Sequence, residues 1–214
     1  NSANTFPISA IYDSSNQKVV VAYQDYGNSS QGTVRVGTVS GTSISFGTPV
    51  IFDSSASDTI GMAYDSTNGK IVLAYTDHTN NYYGTAVVGE VSGTSMTFGT
   101  PVVYNSTGQT YYNSATYDST NQKVVIAFKD NTSTQGSVIA GTVSGNSISF
   151  GSPVVYETSE MYYNAAVYDS SNDRVVISYM DRGDNDYGKS VVFSPITITR
   201  NLTEENFIGI SDGA

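Results

Sequence analysis

Several residue types that build reactive or cross-linked sites are missing or scarce in this chain. Its 214 residues include no cysteine, no tryptophan and a single histidine, His78. The lack of cysteine excludes disulfide bonds and thiolate metal sites, and one histidine cannot form a histidine metal cluster. Because no run of about 18 apolar residues occurs, the sequence predicts no insertion into a membrane.

Charge is also scarce, and it is unbalanced. Charged residues make up only 13% of the chain, and nine basic against 19 acidic side chains give a net charge of −10. Nucleic acids and anionic membranes attract basic surfaces, so this balance argues against both as partners. The chain begins at Asn1 without a signal-like segment, and we therefore expect a processed chain or a fragment.

The chain does contain one sequence motif, here called a phrase, in four copies. YDSTNQKVVIAFKD occupies residues 117–130, and its variants follow a spacing of 52, 53 and 51 residues. The first residues of the other three copies are Tyr12, Tyr64 and Tyr168. A second phrase, GTVSGNSISFGSPVVY at 141–156, occurs three times with a period of 52 residues. Two unrelated phrases with one period predict a tandem-repeat architecture.

Within one repeat the residue pattern predicts four antiparallel strands and no helix. In the third repeat they cover residues 110–118, 123–128, 137–145 and 147–156. The first two strands are rich in β-branched and aromatic residues and are separated by the turn formers STNQ. Gly145-Asn146 suits a two-residue hairpin turn, and Gly151 and Pro153 stand where a bulge or an edge position would tolerate them.

The second strand of each repeat predicts how the repeats pack. Residues 124–128, VVIAF, are apolar throughout, whereas a strand with one wet face alternates apolar and polar residues. Both faces must therefore be covered, which a lone sheet of about 50 residues cannot do for itself. Radial stacking of such sheets gives a β-propeller, so we predict an all-β propeller of four-stranded antiparallel blades, with about 52 residues per repeat. A linear array of small β-units is the competing arrangement.

Four blades are predicted, of which the last is atypical. Their ranges are 1–52, 53–104, 105–156 and 157–200, followed at 201–214 by a tail or the start of another module. The fourth blade lacks the second phrase, SVVF at 190–193 is its predicted third strand, and ITITRNL at 196–202 is a candidate outer strand. Because propellers have about 4–8 blades, these four could close alone, belong to a larger ring or pair with another chain.

YDSTNQKVVIAF, GTVSGNSISFGSPVVY and the terminal NLTEENFIGIS together resemble repeat regions in tail-fibre and virion proteins of marine bacteriophages and in related bacterial proteins. The resemblance covers essentially the whole chain and carries no catalytic motif. It implies an extracellular, virion-exposed appendage that contacts a host cell-surface glycan or envelope component. Other virion or tail proteins are further implied partners, and a homo-oligomer is an open alternative.

Tyrosines with neighbouring amides are the clearest candidates for glycan binding. A sugar stacks on an aromatic face while its hydroxyls bind polar groups nearby. The candidate residues are Tyr82, Tyr83, Tyr111, Tyr112, Asn113, Tyr162, Tyr163 and Asn164. Alternation along a strand predicts that one ring of each Tyr-Tyr pair points inward and the other outward. The competing interpretation is that these tyrosines fill the interfaces between blades.

Acidic residues suggest two further kinds of site. The aspartate of each YDS phrase is either a ligand for a cation or sugar or, as the turn formers after it favour, the start of an Asx turn. These residues are Asp13, Asp65, Asp118 and Asp169. Asp181, Asp184 and Asp186 lie in the most acidic variable loop and are candidate ligands for Ca²⁺, against the alternative of a solvated loop. No other cofactor is predicted.

The repeats favour a binding function over catalysis. Propeller glycosidases such as sialidases use an arginine cluster and paired carboxylates, whereas the four arginines here are scattered among near-identical repeats. An active site needs asymmetric groups with separated pKa values. The variable loops are 24–32, 76–84, 129–136 and 180–188. We therefore predict a non-enzymatic recognition module, with a structural spacer or virion decoration as the alternative and a glycoside-active propeller enzyme as a remote one.

Overall fold

The computed structural model describes residues 4–194, which form an all-β chain of antiparallel strands. The strands fall into four units, numbered in chain order. Unit 1 contains β1 (Thr5–Asp13), β2 (Lys18–Asp25), β3 (Gln31–Ser40), β4 (Ser43–Phe46) and the start of β5 (Val50–Asp65). Unit 2 contains the rest of β5, then β6 (Lys70–Asp77), β7 (Tyr83–Ser92), β8 (Ser95–Phe98) and β9 (Val102–Asn105).

Units 3 and 4 continue the same order. Unit 3 contains β10 (Thr110–Asp118), β11 (Lys123–Asp130), β12 (Gln135–Ser144), β13 (Ser147–Phe150) and β14 (Val154–Glu157). Unit 4 contains β15 (Met161–Asp169), β16 (Arg174–Asp181) and β17 (Tyr187–Phe193). A single 3-10 turn, Tyr26–Asn28, precedes β3, and no helix within residues 4–194 is long and apolar enough to cross a membrane. The candidate outer strand at 196–202 and the tail at 201–214 lie outside the described residues.

In each of units 1 to 3 the third strand pairs along one edge with two further strands, which are short except that in unit 1 the second is the start of β5. In unit 3, β13 pairs with the second half of β12 and β14 pairs with the first half. The turn between β12 and β13 has two residues, as predicted, and Gly145 takes a φ of +58°, which a residue without Cβ adopts easily. The break between β13 and β14 falls at Gly151 and Pro153, so the predicted last strand is two strands.

The long strand β5 serves two units. Val50 stands opposite Val34 of β3, and Asp65 stands opposite Lys70 of β6. Units 1 and 2 therefore share a nine-stranded sheet, whereas units 3 and 4 form separate sheets of five and three strands.

Three apolar cores lie where consecutive units meet. The first core joins Val20 and Val34 of unit 1 to Leu73 and Val87 of unit 2, and the second and third cores repeat this arrangement at the next two junctions. Residues 71–76 of β6 and 124–129 of β11 are buried without interruption. This confirms for the middle units that both faces of the second strand are covered. In the end units, β2 and β16 each keep one partly exposed face.

The first strands of consecutive units approach closely. A Cβ added to Gly61 of β5 would lie 2.8 Å from the carbonyl oxygen of Asn113 in β10. Farther along, the Ala166 amide in β15 donates to Ser114 Oγ of β10 at 2.9 Å. The equivalent positions in the four units are Ser9, Gly61, Ser114 and Ala165. At Gly61 the neighbouring backbone leaves no room for a side chain, and small residues recur at the equivalent positions of the other units.

The aspartates of the YDS phrases form the Asx turns that the sequence favoured. Asp118 Oδ1 accepts from the Asn121 amide at 2.9 Å, and Oδ2 accepts from Asn121 Nδ2 at 2.8 Å. The aspartates of the other three units accept equivalent bonds. These carboxylates are therefore engaged in fixing the turn between the first two strands.

Candidate functional site

Four tyrosines at the start of β10 and β15 form one aromatic cluster, called here the tyrosine cluster. Tyr112 lies at its centre, with its ring centroid 6.5 Å from that of Tyr111, 5.6 Å from Tyr162 and 5.0 Å from Tyr163. Tyr163 is 68% exposed, and the other three rings are half-buried. The cluster therefore spans units 3 and 4 and presents one open ring to solvent.

A bulge in each first strand positions these rings. The pairing register shifts between Tyr111 and Ser114 in β10 and between Tyr162 and Ala165 in β15. Within the bulges, Tyr112 and Tyr163 have left-handed φ values of 54° and 49°. Strict alternation would separate the two rings of each pair, but the bulge holds them 6.5 and 6.1 Å apart.

The bulge itself belongs to the framework. Thr59 occupies the equivalent position in unit 2 and has a left-handed φ of 46°. Such a backbone is uncommon for any residue other than glycine, yet it recurs here with and without an aromatic side chain. The left-handed residue is thus common to units 2 to 4, and the aromatic rings are an addition found in units 3 and 4.

Charged groups border the cluster at Tyr162. Lys129 Nζ lies 3.1 Å from Glu160 Oε1 and 4.2 Å from the centroid of the Tyr162 ring. Tyr162 Oη donates to the same Glu160 oxygen at 2.8 Å. This bond, followed by that from Lys129, lowers the pKa of Glu160, and the carboxylate in turn raises the pKa of Tyr162. Arg182 lies 5.8 Å from the same ring, so the border offers hydrogen-bonding groups of both charges.

The tyrosines of unit 2 are not among the four rings of the cluster, although burial, and after it the nearby Tyr82, raises the pKa of Tyr111. The ring of Tyr82 is 4.6 Å from that of His78, whose Nε2 lies 3.8 Å from Asp58 Oδ2. The Tyr82 carbonyl accepts from the Thr110 amide at 2.9 Å, which attaches this loop to the start of β10. Tyr83 begins β7 and shares none of the ring contacts of the cluster described above.

The two candidate asparagines have different surroundings. Asn113 is buried between units 2 and 3, where Oδ1 accepts from Tyr104 Oη at 2.6 Å and Nδ2 donates to Thr59 Oγ1 at 2.9 Å. In Asn164, neither side-chain polar atom has a hydrogen-bond partner within the part of the chain that the structure describes. The amide of Asn113 therefore holds a junction together, which leaves the tyrosines as the accessible part of the predicted site.

The acidic loop of unit 4 pairs its carboxylates with basic side chains. Lys189 Nζ lies 2.6 Å from Asp181 Oδ2 and 3.0 Å from Asp184 Oδ2, while Asp186 Oδ2 lies 3.3 Å from Arg182. The hydrogen bond to Asp181 is the main reason that the pKa of Lys189 is raised to about 12. Across residues 4–194 no three His, Cys, Asp or Glu side chains are grouped to hold a metal. The calcium site stays a prediction.

Sequence reasoning missed the charged border of the cluster. Lys129 was visible as a departure from the repeat, because the equivalent residues in the other units are Gln24, Thr76 and Met180. Its partner Glu160 stands just before β15, where nothing in the local pattern marks it. Only the packing of β11 beside β15 brings these residues together.

Comparison with known proteins gives no family assignment. No protein-family model matches the chain, and no curated protein matches it significantly. The function must therefore be argued from the fold and from the chemistry of the tyrosine cluster.

Proposed function

We propose that this chain is a β-propeller module of a phage-type virion appendage, displayed outside the cell, that binds host-surface glycans without altering them. Four observations on the fold support the propeller. The units have one antiparallel order, they bury apolar cores between them, their first strands lie side by side, and small residues stand where those strands meet. These are the features expected of blades packed about a central axis.

The observation that carries the binding function is the tyrosine cluster. The exposed ring of Tyr163 offers an apolar face, and the rings of Tyr112 and Tyr162 pack against it with centroids 5.0 and 6.1 Å away. Glu160 and Arg182 provide an acceptor and a donor beside the adjoining ring of Tyr162. An aromatic platform with polar groups at its rim suits the apolar face and the hydroxyls of a sugar ring. One open ring implies weak binding, which several copies on a virion would strengthen by avidity.

The state of Glu160 favours binding over catalysis. A general acid in glycoside hydrolysis needs a raised pKa, whereas hydrogen bonds from Tyr162 and Lys129 lower the pKa of Glu160. A carboxylate held in this way accepts hydrogen bonds well and donates protons poorly. This supports a recognition site that binds a sugar without hydrolysing it.

A structural spacer or virion decoration is the second candidate. Three rings of the cluster are half-buried, so the cluster also stabilises the junction between units 3 and 4. If that is its whole purpose, the exposed ring of Tyr163 has no ligand and its removal changes nothing outside the chain.

Glycan-array binding by the purified chain separates the two candidates. We expect binding to at least one class of glycan, with a loss of about tenfold or more for Tyr163→Ala and for Tyr112→Ala, as a stacking contact of about 1.5 kcal/mol implies. Tyr26→Ala removes an exposed tyrosine of unit 1 and should bind like the unchanged chain. Absence of binding to every glycan and host envelope tested, or an equal loss for Tyr26→Ala, would favour the spacer.

A further inference from the structure

Among residues 4–194, nothing covers one sheet face of each end unit. On unit 1 the free face includes Phe6, which is 67% exposed, together with Ile8 and Tyr12. On unit 4 it includes Val167, which is 60% exposed, and Val192. A recess of about 240 Å³ opens on the face of unit 1. It is lined by Thr5, Ile8, Val21, Tyr23, Arg35 and Phe46.

These two faces are opposite halves of the junction that the chain repeats three times. Val21 and Ile44 on the free face of unit 1 occupy the positions of Leu73 and Met96 in unit 2, which are buried against unit 1. Val167 on the free face of unit 4 occupies the position of Ile11, which packs on the first core from the side of unit 1. Unit 1 therefore presents the surface that receives a preceding unit, and unit 4 presents the surface that receives a following one.

A repeated hydrogen bond shows the same two unmatched halves. At each junction the tyrosine of one YDS phrase bonds a hydroxyl in the turn of the preceding unit. The bonds are Tyr64 to Ser15 at 2.6 Å, Tyr117 to Thr67 at 2.6 Å and Tyr168 with Thr120 at 2.7 Å. The next members of this series are Tyr12, exposed on unit 1, and Ser171 in the turn of unit 4. Neither makes this bond within residues 4–194, and each has the hydroxyl that the other would need as a partner.

Departures from the repeat at the two ends are also complementary. Arg35 on the free face of unit 1 replaces the buried Val87 of unit 2, whereas Ser178 and Ser190 on unit 4 replace Ala22 and Val34 of unit 1. In the first core Ala22 and Val34 lie together with Val87. The Arg35 guanidinium donates to the Gly47 carbonyl through Nε and Nη2. Its remaining N–H groups would need acceptors once buried, and two serine hydroxyls would face them across an added junction.

We propose that two copies of this chain bind head to tail, with unit 4 of each copy packed on unit 1 of the other. The two new junctions would have the same construction as the three within each chain. Closure in this way leaves no free face and gives a ring of eight units, which lies within the range of about 4–8 blades. Tyr163 of the tyrosine cluster borders this junction, because it occupies in unit 4 the position of Tyr112, which contacts Tyr162 and Tyr163 of the next unit. The tests below measure mass and disulfide formation, so they can fail without glycan binding failing.

The first test is the mass of the 214-residue chain in solution. We expect light scattering and native mass spectrometry to give twice the chain mass of 22.7 kDa. Tyr12→Arg and Val167→Arg should each reduce the dimer to a monomer, and both sites are exposed in the single chain, so folding is retained. Val155→Arg, at a partly exposed valine on the outer edge of unit 3, is the matched control and should remain dimeric.

The second test fixes the orientation, and it exploits the absence of cysteine. Ser114 and Ala166 meet across the junction of units 3 and 4, and the equivalent pair across the proposed junction is Ala165 of one copy and Ala10 of the other. The double variant Ala10→Cys/Ala165→Cys should therefore form disulfide-linked dimers, whereas either single variant should not. Ser114→Cys/Ala166→Cys should form the same bond within one chain and serves as the positive control.

Three outcomes would overturn the proposal. If the chain is a monomer at all concentrations and forms no intermolecular disulfide, the free faces do not bind a second copy of this chain. Disulfide-linked dimers of the single variant Ala10→Cys would show like faces paired with each other. Masses that grow with concentration beyond the dimer would show an open filament in place of a closed ring.

Discussion

The strands β11 and β16 have nearly the same sequence and pairing, yet they differ in burial. Val125 and Ala127 of β11 are 0% exposed, whereas the equivalent Val176 is half-exposed and Ser178 is exposed. In both units the strand pairs with its neighbours in the same antiparallel order. The difference arises because unit 4 covers that face of unit 3, and no described unit covers that face of unit 4. Burial in this chain is therefore a property of the junction between units.

The largest difference between the two kinds of face is expected when one phenylalanine is removed from a covered face and another from a free face. Phe128→Ala empties a site between units 2 and 3, where the ring contacts Tyr104 at 5.3 Å between centroids. We expect the free energy of unfolding to fall by about 3–5 kcal/mol. Phe6→Ala, at an exposed site, should change it by less than about 0.5 kcal/mol.

Both variants are measured by urea unfolding in the Tyr12→Arg background, which prevents pairing of copies from contributing. Similar losses for Phe128→Ala and Phe6→Ala would contradict the account, because they would mean that the junction does not decide how much a buried ring stabilises the chain.

A smaller effect of the same kind is expected at the Asx turns. Asp118 of unit 3 is buried, and Asp118→Ala removes the acceptor of the Asn121 amide and the nearer of the two acceptors of its side chain. We expect a loss of about 1–3 kcal/mol in the free energy of unfolding. Asp169→Ala makes the same change in unit 4, where the turn is more exposed, and should cost less. Thermal unfolding of the two variants side by side gives the ranking, and the reverse order would count against it.

The covered junctions should also make the chain sensitive to alkali. Burial raises the pKa of Tyr104 and of Tyr179 above the ordinary 10.0. Such phenols stay neutral in the folded chain while they ionise in the unfolded one, so their contribution is complete below pH 10 and is lost as the pH rises above it. We expect Tyr104→Phe/Tyr179→Phe to flatten the fall in unfolding free energy above about pH 10. An unchanged slope would show that other groups cause the fall.

The smallest expected effect lies at the exposed border of the tyrosine cluster. Hydrogen bonds from Tyr162 and then Lys129 lower the pKa of Glu160 below 4.5. The stabilisation from this lowered pKa is therefore present above pH 4.5 and is lost as the pH falls through the lower, folded value. In an NMR titration, Tyr162→Phe should move the Glu160 pKa upward toward 4.5. No movement would mean that Lys129 alone holds the carboxylate.

Much of the fold could be predicted from the sequence, because the repeat period and the pattern of apolar residues along a strand indicate how the sheets pack. The unbroken apolar run at 124–128 required two covered faces, and the structure covers both. The continuity of β5 across the expected blade boundary at residue 52 could not be predicted, because a repeat period does not show whether a strand ends between two units or continues.

The candidate site could be predicted from the sequence only in part. The pattern marked Tyr112 and Tyr163 as unusual, but alternation along an ideal strand separates the rings of each pair, and the bulge reunites them. Asn113 was grouped with the tyrosines because of its neighbours in sequence, although Tyr104 and Thr59 of unit 2 bind its amide. Contacts between units depend on the relative placement of sheets, which a single repeat does not encode.

The unfolding of one unit by itself tests whether neighbouring sheets stabilise one another. Residues 105–156, expressed alone, should show no cooperative transition by circular dichroism in urea, because both faces of β11 would be exposed to water. The 214-residue chain should unfold cooperatively under the same conditions. A cooperative transition and strand-rich spectrum for the isolated unit would contradict the claim that neighbouring sheets stabilise one another.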